Sequence, residues 1–176
     1  MPTILFLAKF LGIYLVANLL YGVFVTSYEP GPDPTTSAVA QQTSAVLTVC
    51  GWDTSWHDNT VKPTTEVAFN NRDVLSIYEG CNGINVMIIF VAFLLAFGPM
   101  NRNLWWYIPL GLLVLHLSNL LRITVLFWVS LNEPDFMYFL HKYLFTAALY
   151  VVTFILWIVW VRMAVRLKVV QSGASE

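Results

Sequence analysis

Four stretches of this 176-residue chain are too apolar and too long to lie in water: 4–26, 83–99, 104–131 and 138–161. A helix needs about 20 such residues to cross the hydrocarbon core of a bilayer, and in lipid the backbone must satisfy its hydrogen bonds internally. The expectation is an all-α integral membrane protein, a bundle of four transmembrane helices forming a single domain over 1–176. Charged residues make up only 11% of the chain, against about 25% in soluble domains, which removes a water-soluble fold from consideration. The second stretch is only just long enough. For the first, the alternative is a cleaved signal peptide, because Ala38-Val39-Ala40 resembles a cleavage motif. That motif lies well past the apolar run and no basic residue precedes the run, so a retained helix is expected.

The charges outside these stretches are sorted by sign. All but one of the ten acidic residues lie between Glu29 and Glu79 or at Glu133 and Asp135. Basic residues flank the other ends: Lys9, Arg102 in the loop after the second stretch, and Arg162, Arg166 and Lys168 in the tail. Basic flanks mark the cytoplasmic side, which puts both termini inside and the loops 27–82 and 132–140 outside. Aromatic belts agree, with Trp105, Trp106, Tyr107, Trp157 and Trp160 at the inner interface and Tyr28, Tyr78, Trp128 and Tyr138 at the outer. A net charge of -1 without a basic patch leaves no footprint for nucleic acid. The lipid bilayer is the partner that composition implies.

Within the external loop 27–82, residues 35–50 carry small and apolar side chains at Ala38, Val39, Ala45, Val46 and Val49, the pattern of a short helix on the outer surface. Residues 66–69 and 74–78 are β-prone and flank Asn70-Asn71-Arg72-Asp73, which suits a tight β-hairpin. Such a hairpin delivers the chain to Cys81 and offers an edge on which an extended substrate could pair. A small lid that only orders the loop is the plainer alternative.

Three polar side chains come to the outer end of this topology. Cys81 opens the second apolar stretch and His141 the fourth. Arg122 lies about 27 Å along the third from Leu104, past the midplane, at 1.5 Å per residue. Thiol, imidazole and guanidinium at one depth are the parts of a cysteine acyl-transfer site. A thiol of pKa near 8.5 is mostly protonated at neutral pH. His141 could accept its proton, and Arg122 could hold a thiolate, an oxyanion or a substrate carboxylate. A charge at the bilayer centre costs at least about 2.5–3.5 kcal/mol, so Arg122 is not expected to face lipid. Asn119, one turn below on nearly the same face, is placed to orient it. Glu79 is a candidate ion partner for Cys81 or an acid for the leaving group, and Asn82 is a supporting neighbour.

Each of these residues has a plainer reading. Cys81 could pair with Cys50 in a disulfide, since both face an oxidising exterior. His141 could be an interfacial side chain beside Lys142 and Tyr143, and Arg122 a helix-packing residue. His116, near the midplane, is a rival base or a packing histidine. His57 belongs to a polar loop, Trp56-His57-Asp58-Asn59. Three scattered histidines and two cysteines have no metal-ligand spacing, so neither a metal nor a cofactor is expected. The alternative function is a non-catalytic membrane scaffold or transporter subunit, with Arg122 and His116 in a polar pathway.

In order and spacing, Cys81-Asn82-Gly83, Asn119-Leu120-Leu121-Arg122-Ile123 and His141 resemble the exosortase/archaeosortase family of multi-pass membrane proteins. The Lys9-Phe10-Leu11 opening with Tyr14 and Tyr21, and the Cys81-Asn82-Gly83-Ile84-Asn85 form, resemble its small exosortase F-type branch. The resemblance covers residues 65–165 well and the first helix loosely, and 35–65 adds nothing to it. It implies a membrane-embedded cysteine endopeptidase or transpeptidase, with Cys81 as nucleophile and Arg122 and His141 as its partners. It further implies action at the periplasmic face of a bacterial inner membrane, on membrane-anchored proteins that carry a C-terminal sorting signal.

Overall fold

The computed structural model describes residues 3–98 and 100–173, with side chains described as far as residue 165. Helix α1 (Thr3–Thr26) is followed by α2 (Pro34–Val49) and by strands β1 (Thr54–Asp58), β2 (Thr64–Phe69) and β3 (Arg72–Tyr78). A 3-10 turn (Glu79–Cys81) leads into α3 (Ile84–Phe97). Then come α4 (Arg102–Asn132), α5 (Pro134–Phe139), a π-helical turn (Leu140–Leu144) and α6 (Phe145–Gly173). Among the described residues, three helices are long and apolar enough to cross a membrane: Thr3–Thr26, Arg102–Asn132 and the continuous Pro134–Val165. The molecule is a mostly helical, multi-pass membrane protein.

Two helix starts follow from capping chemistry. Asp33 accepts from the Thr35 and Thr36 amides at 2.9 and 3.1 Å, with Pro34 in the first helical turn of α2. Asn101 accepts from the Leu104 amide at 3.0 Å and opens α4. Side-chain oxygens at these positions satisfy amides that the helix itself cannot.

The described elements depart from expectation at three places. Helix α3 has only 14 residues, about 21 Å, against a hydrocarbon core of about 30 Å. It ends where the Gly98 amide closes on the Leu94 carbonyl. Pro99, the last residue of the expected stretch, and the Arg166 and Lys168 side chains lie outside the described residues. The stretch 132–140, expected as a loop, is helical, because Pro134 is preset for a first helical turn. The sheet has three strands: β1 occupies the segment expected as a polar loop, with His57 exposed and 3.7 Å from Asp73.

Helices α3, α4 and α6 enclose one core, built from Phe90, Leu94, Leu104, Tyr107, Leu115 and Trp160. Gly111 makes the α3–α4 approach possible, since a Cβ there would stand 2.2 Å from the Phe90 ring. The Tyr107 hydroxyl donates to the Leu156 carbonyl at 2.7 Å, which satisfies a polar tip within the bundle. Helix α1 packs along α3, with Phe6 edge-on to Phe93.

A second core lies at one end of the bundle. Val39, Ala40 and Leu47 of α2, Val67, Leu75 and Ile77 of the sheet, and Leu120, Ile123 and Phe127 of α4 close around Cys81. The strands are antiparallel in the order β1-β2-β3. Asn70 and Asn71 turn β2 into β3 with φ of 52° and 59°, a left-handed conformation that asparagine tolerates better than most residues. The Ser130 hydroxyl donates to the Val74 carbonyl at 3.1 Å, tying the sheet to the C-terminal part of α4.

Candidate active site

Strand β3 hands the chain to a turn in which three consecutive residues do different work. Cys81 is buried at 4% exposure. Asn82, also buried, accepts from the Ile84 amide at 3.0 Å and donates to the hydroxyls of Tyr21 at 2.6 Å and Thr36 at 3.1 Å. One side chain thus ties α1, α2 and α3 together beneath the thiol. Gly83 has φ of +83°, where a Cβ would be strained. The same Cβ would press to 3.1 Å on Asn119.

Asn119 does not do what its spacing from Arg122 suggests. Its side-chain amide donates to the Cys81 carbonyl at 2.9 Å, so it holds the backbone of the cysteine. Its own oxygen is buried without a partner among the described residues.

His141 stands in the π-helical turn between α5 and α6, a local widening of the helix that often accompanies functional residues. Its Nε2 is 3.8 Å from Cys81 Sγ. Its Nδ1 is buried without a partner among the described residues. Lys142, the next residue, turns the other way and donates to the Tyr138 hydroxyl at 2.6 Å. The thiol and the imidazole therefore meet although 60 residues separate them.

Arg122 is 8% exposed, and its Nε has no partner among the described residues. It lines a groove of about 260 Å³ between α4 and α6, with Ser118, Leu121, Val125, Phe145 and Leu149 among the other walls. Arg122 is the only charged residue on that apolar lining. Burial pushes the Cys81 thiol above its ordinary value, while the Arg122 charge and hydrogen bonds from Tyr78 pull it back. A buried thiol so placed rests protonated at neutral pH, and needs a base to become a nucleophile.

Of the other candidates, Glu79 is exposed and makes no side-chain hydrogen bond or ion pair among the described residues. His116 Nε2 is 2.6 Å from Gln42 Oε1, which joins α4 to α2. Both cysteines are free, Cys50 exposed and Cys81 buried. Sequence reasoning missed Tyr78 as a neighbour of the thiol. The available signal was a tyrosine three residues before the cysteine with glycine between them.

A family model described as transmembrane exosortase matches residues 3–158 of the chain. No curated protein and no solved structure matches.

Proposed function

Because the chain belongs to the transmembrane exosortase family, which implies a cysteine peptidase or transpeptidase, we propose that Cys81 and His141 are its catalytic dyad and Arg122 its electrostatic partner. The observation that carries this reading is the 3.8 Å approach of Cys81 Sγ to His141 Nε2. In the proposed reaction His141 Nε2 accepts the thiol proton as Cys81 Sγ attacks a peptide carbonyl. The carbonyl oxygen becomes an oxyanion, which Arg122 stabilises in surroundings where water does not screen it. When the tetrahedral intermediate collapses, the C–N bond breaks and the leaving amine takes the proton from His141. The thioester left on Cys81 is then resolved by water in an endopeptidase, or by an amine in a transpeptidase. No acid orients His141 in this scheme. Its Nδ1, which has no partner among the described residues, can bond to substrate or water.

The substrate is a membrane-anchored protein with a C-terminal sorting signal, met at the outer face of a bacterial inner membrane. The chain is a single membrane domain of the small F-type branch, and it passes through the bilayer four times with both termini inside. Although α3 is short, its two ends lie at opposite ends of the bundle. Gly83 packs on Asn119 of α4, whereas Gly98 packs on Trp160 of α6. These contacts support a crossing by α3 from the sheet-bearing end toward Arg102 and Arg162.

The test is cleavage of a co-expressed tail substrate. Cys81→Ala and His141→Ala should each reduce processing to background while the membrane level of the protein is unchanged. Normal processing by Cys81→Ala at a normal level would reject the reading in favour of a scaffold.

A further inference from the structure

One more side chain stands where the thiol and the imidazole meet. Strand β3 ends at Tyr78, and its ring does not continue outward along the strand. It lies back over the next turn, so closely that a Cβ on Gly80 would stand 2.4 Å from Tyr78 Cε2 and 3.2 Å from Cζ. The ring centre is 6.4 Å from that of His141, at an interplanar angle of 58°. Tyr78 thus approaches the dyad from the sheet side, opposite in chain origin to His141 on the α5–α6 turn. Hydrogen bonding from Tyr78 is among the influences that lower the Cys81 thiol value, which marks the two groups as neighbours.

We propose that Tyr78 is a catalytic residue that donates its phenolic hydrogen bond to the Cys81 sulfur as it becomes a thiolate, and that Gly80 is the gap that lets the ring reach it. The proposal rests on the cysteine-peptidase reading of this site. The phenol keeps its proton throughout: His141 takes the thiol proton, and Tyr78 supplies a hydrogen bond without a proton transfer. The phenol is suited to that part. Negative charge on Cys81, and then burial, hold the Tyr78 hydroxyl above the ordinary phenol value. At neutral pH it is a donor. The arrangement answers a specific difficulty. A thiolate at this buried position has lost its water, and a hydrogen bond to a charged group is among the stronger kinds.

The test uses full-length protein in detergent, on a Cys50→Ser background so that Cys81 is the only thiol. The rate of alkylation by iodoacetamide is measured across pH. Tyr78→Phe removes one oxygen and nothing else. It should move the midpoint of the profile upward and slow alkylation at neutral pH about tenfold or more, the scale of losing a hydrogen bond to a charged group. Gly80→Ala keeps the hydroxyl in the chain but forces the ring from its seat, and should reproduce the shift. Cleavage of the tail substrate by Tyr78→Phe should fall by a comparable factor in kcat with KM unchanged. A Tyr78→Phe profile superimposed on the parent's would overturn the proposal. So would a shift in Tyr78→Phe without one in Gly80→Ala, as regards the seat. Alkylation needs no substrate, so it separates the two layers of the argument. If the profile shifts as expected while Cys81→Ser still processes substrate normally, the contact is real and the catalytic role is rejected.

Discussion

The two cores of this molecule are built on different principles. The bundle core is made of volume. Phe90 fits over Gly111, Tyr107 stacks on Trp160 at 5.2 Å between ring centres, and Trp160 and Leu104 are fully buried. The core beneath the sheet mixes apolar packing with buried polar side chains held by directed hydrogen bonds. Asp33 caps α2, Asn82 bonds three elements, and Asn119 holds the Cys81 carbonyl. Cys81 belongs to this second core. The contrast suits the nucleophilic role proposed for Cys81. A packed apolar core tolerates changes of shape within limits. A core of directed hydrogen bonds constrains orientation more closely, which suits the positioning that the proposed nucleophile would need.

Substitutions in and between the two cores test that contrast. The largest effect is expected at Arg122, which stands between the two regions. Arg122→Leu should lower processing at least about a hundredfold, comparable to losing an oxyanion-hole donor. Arg122→Lys should be nearly as poor, because lysine keeps the charge but not the planar fork. Processing of the tail substrate, measured beside the level of folded protein in the membrane, decides it. Next comes Asn82→Asp, which preserves volume but removes the amide donor and introduces a buried charge. It should lower stability by about 1–3 kcal/mol, read as the thermal midpoint in detergent. Smallest is Leu115→Met in the bundle, another change of nearly constant volume. It should cost less than about 1.5 kcal/mol and leave processing unaltered. If Leu115→Met proves more harmful than Asn82→Asp, the two cores do not differ as described.

What could be read from the sequence follows the same division. The helices of the bundle are legible because apolar runs on the scale of a bilayer have few other uses. Hydropathy and charge sorting also bring Cys81 and His141 to one end. Neither says that they touch, since the 3.8 Å distance depends on a π-helical turn that no local pattern announces. Asn119 shows the limit most clearly. Helical spacing points it at Arg122, but the left-handed Gly83 brings the Cys81 carbonyl into its reach instead. Strand β1 was hidden for another reason. Four of its five residues are exposed, so Thr-Ser-Trp-His-Asp shows no buried alternation. The shortness of α3 was hidden because apolarity continues up to Gly98, while the helix closes on its own backbone before it.

The central claim is that Cys81 forms a covalent acyl intermediate with its substrate. The direct measurement is mass spectrometry of the protein isolated with a tail substrate and digested without reducing agent. The account predicts a thioester-linked substrate fragment on the peptide that contains Cys81, released by hydroxylamine and absent from Cys81→Ala. Continued processing with no adduct at Cys81, or an adduct confined to Cys50, would contradict it.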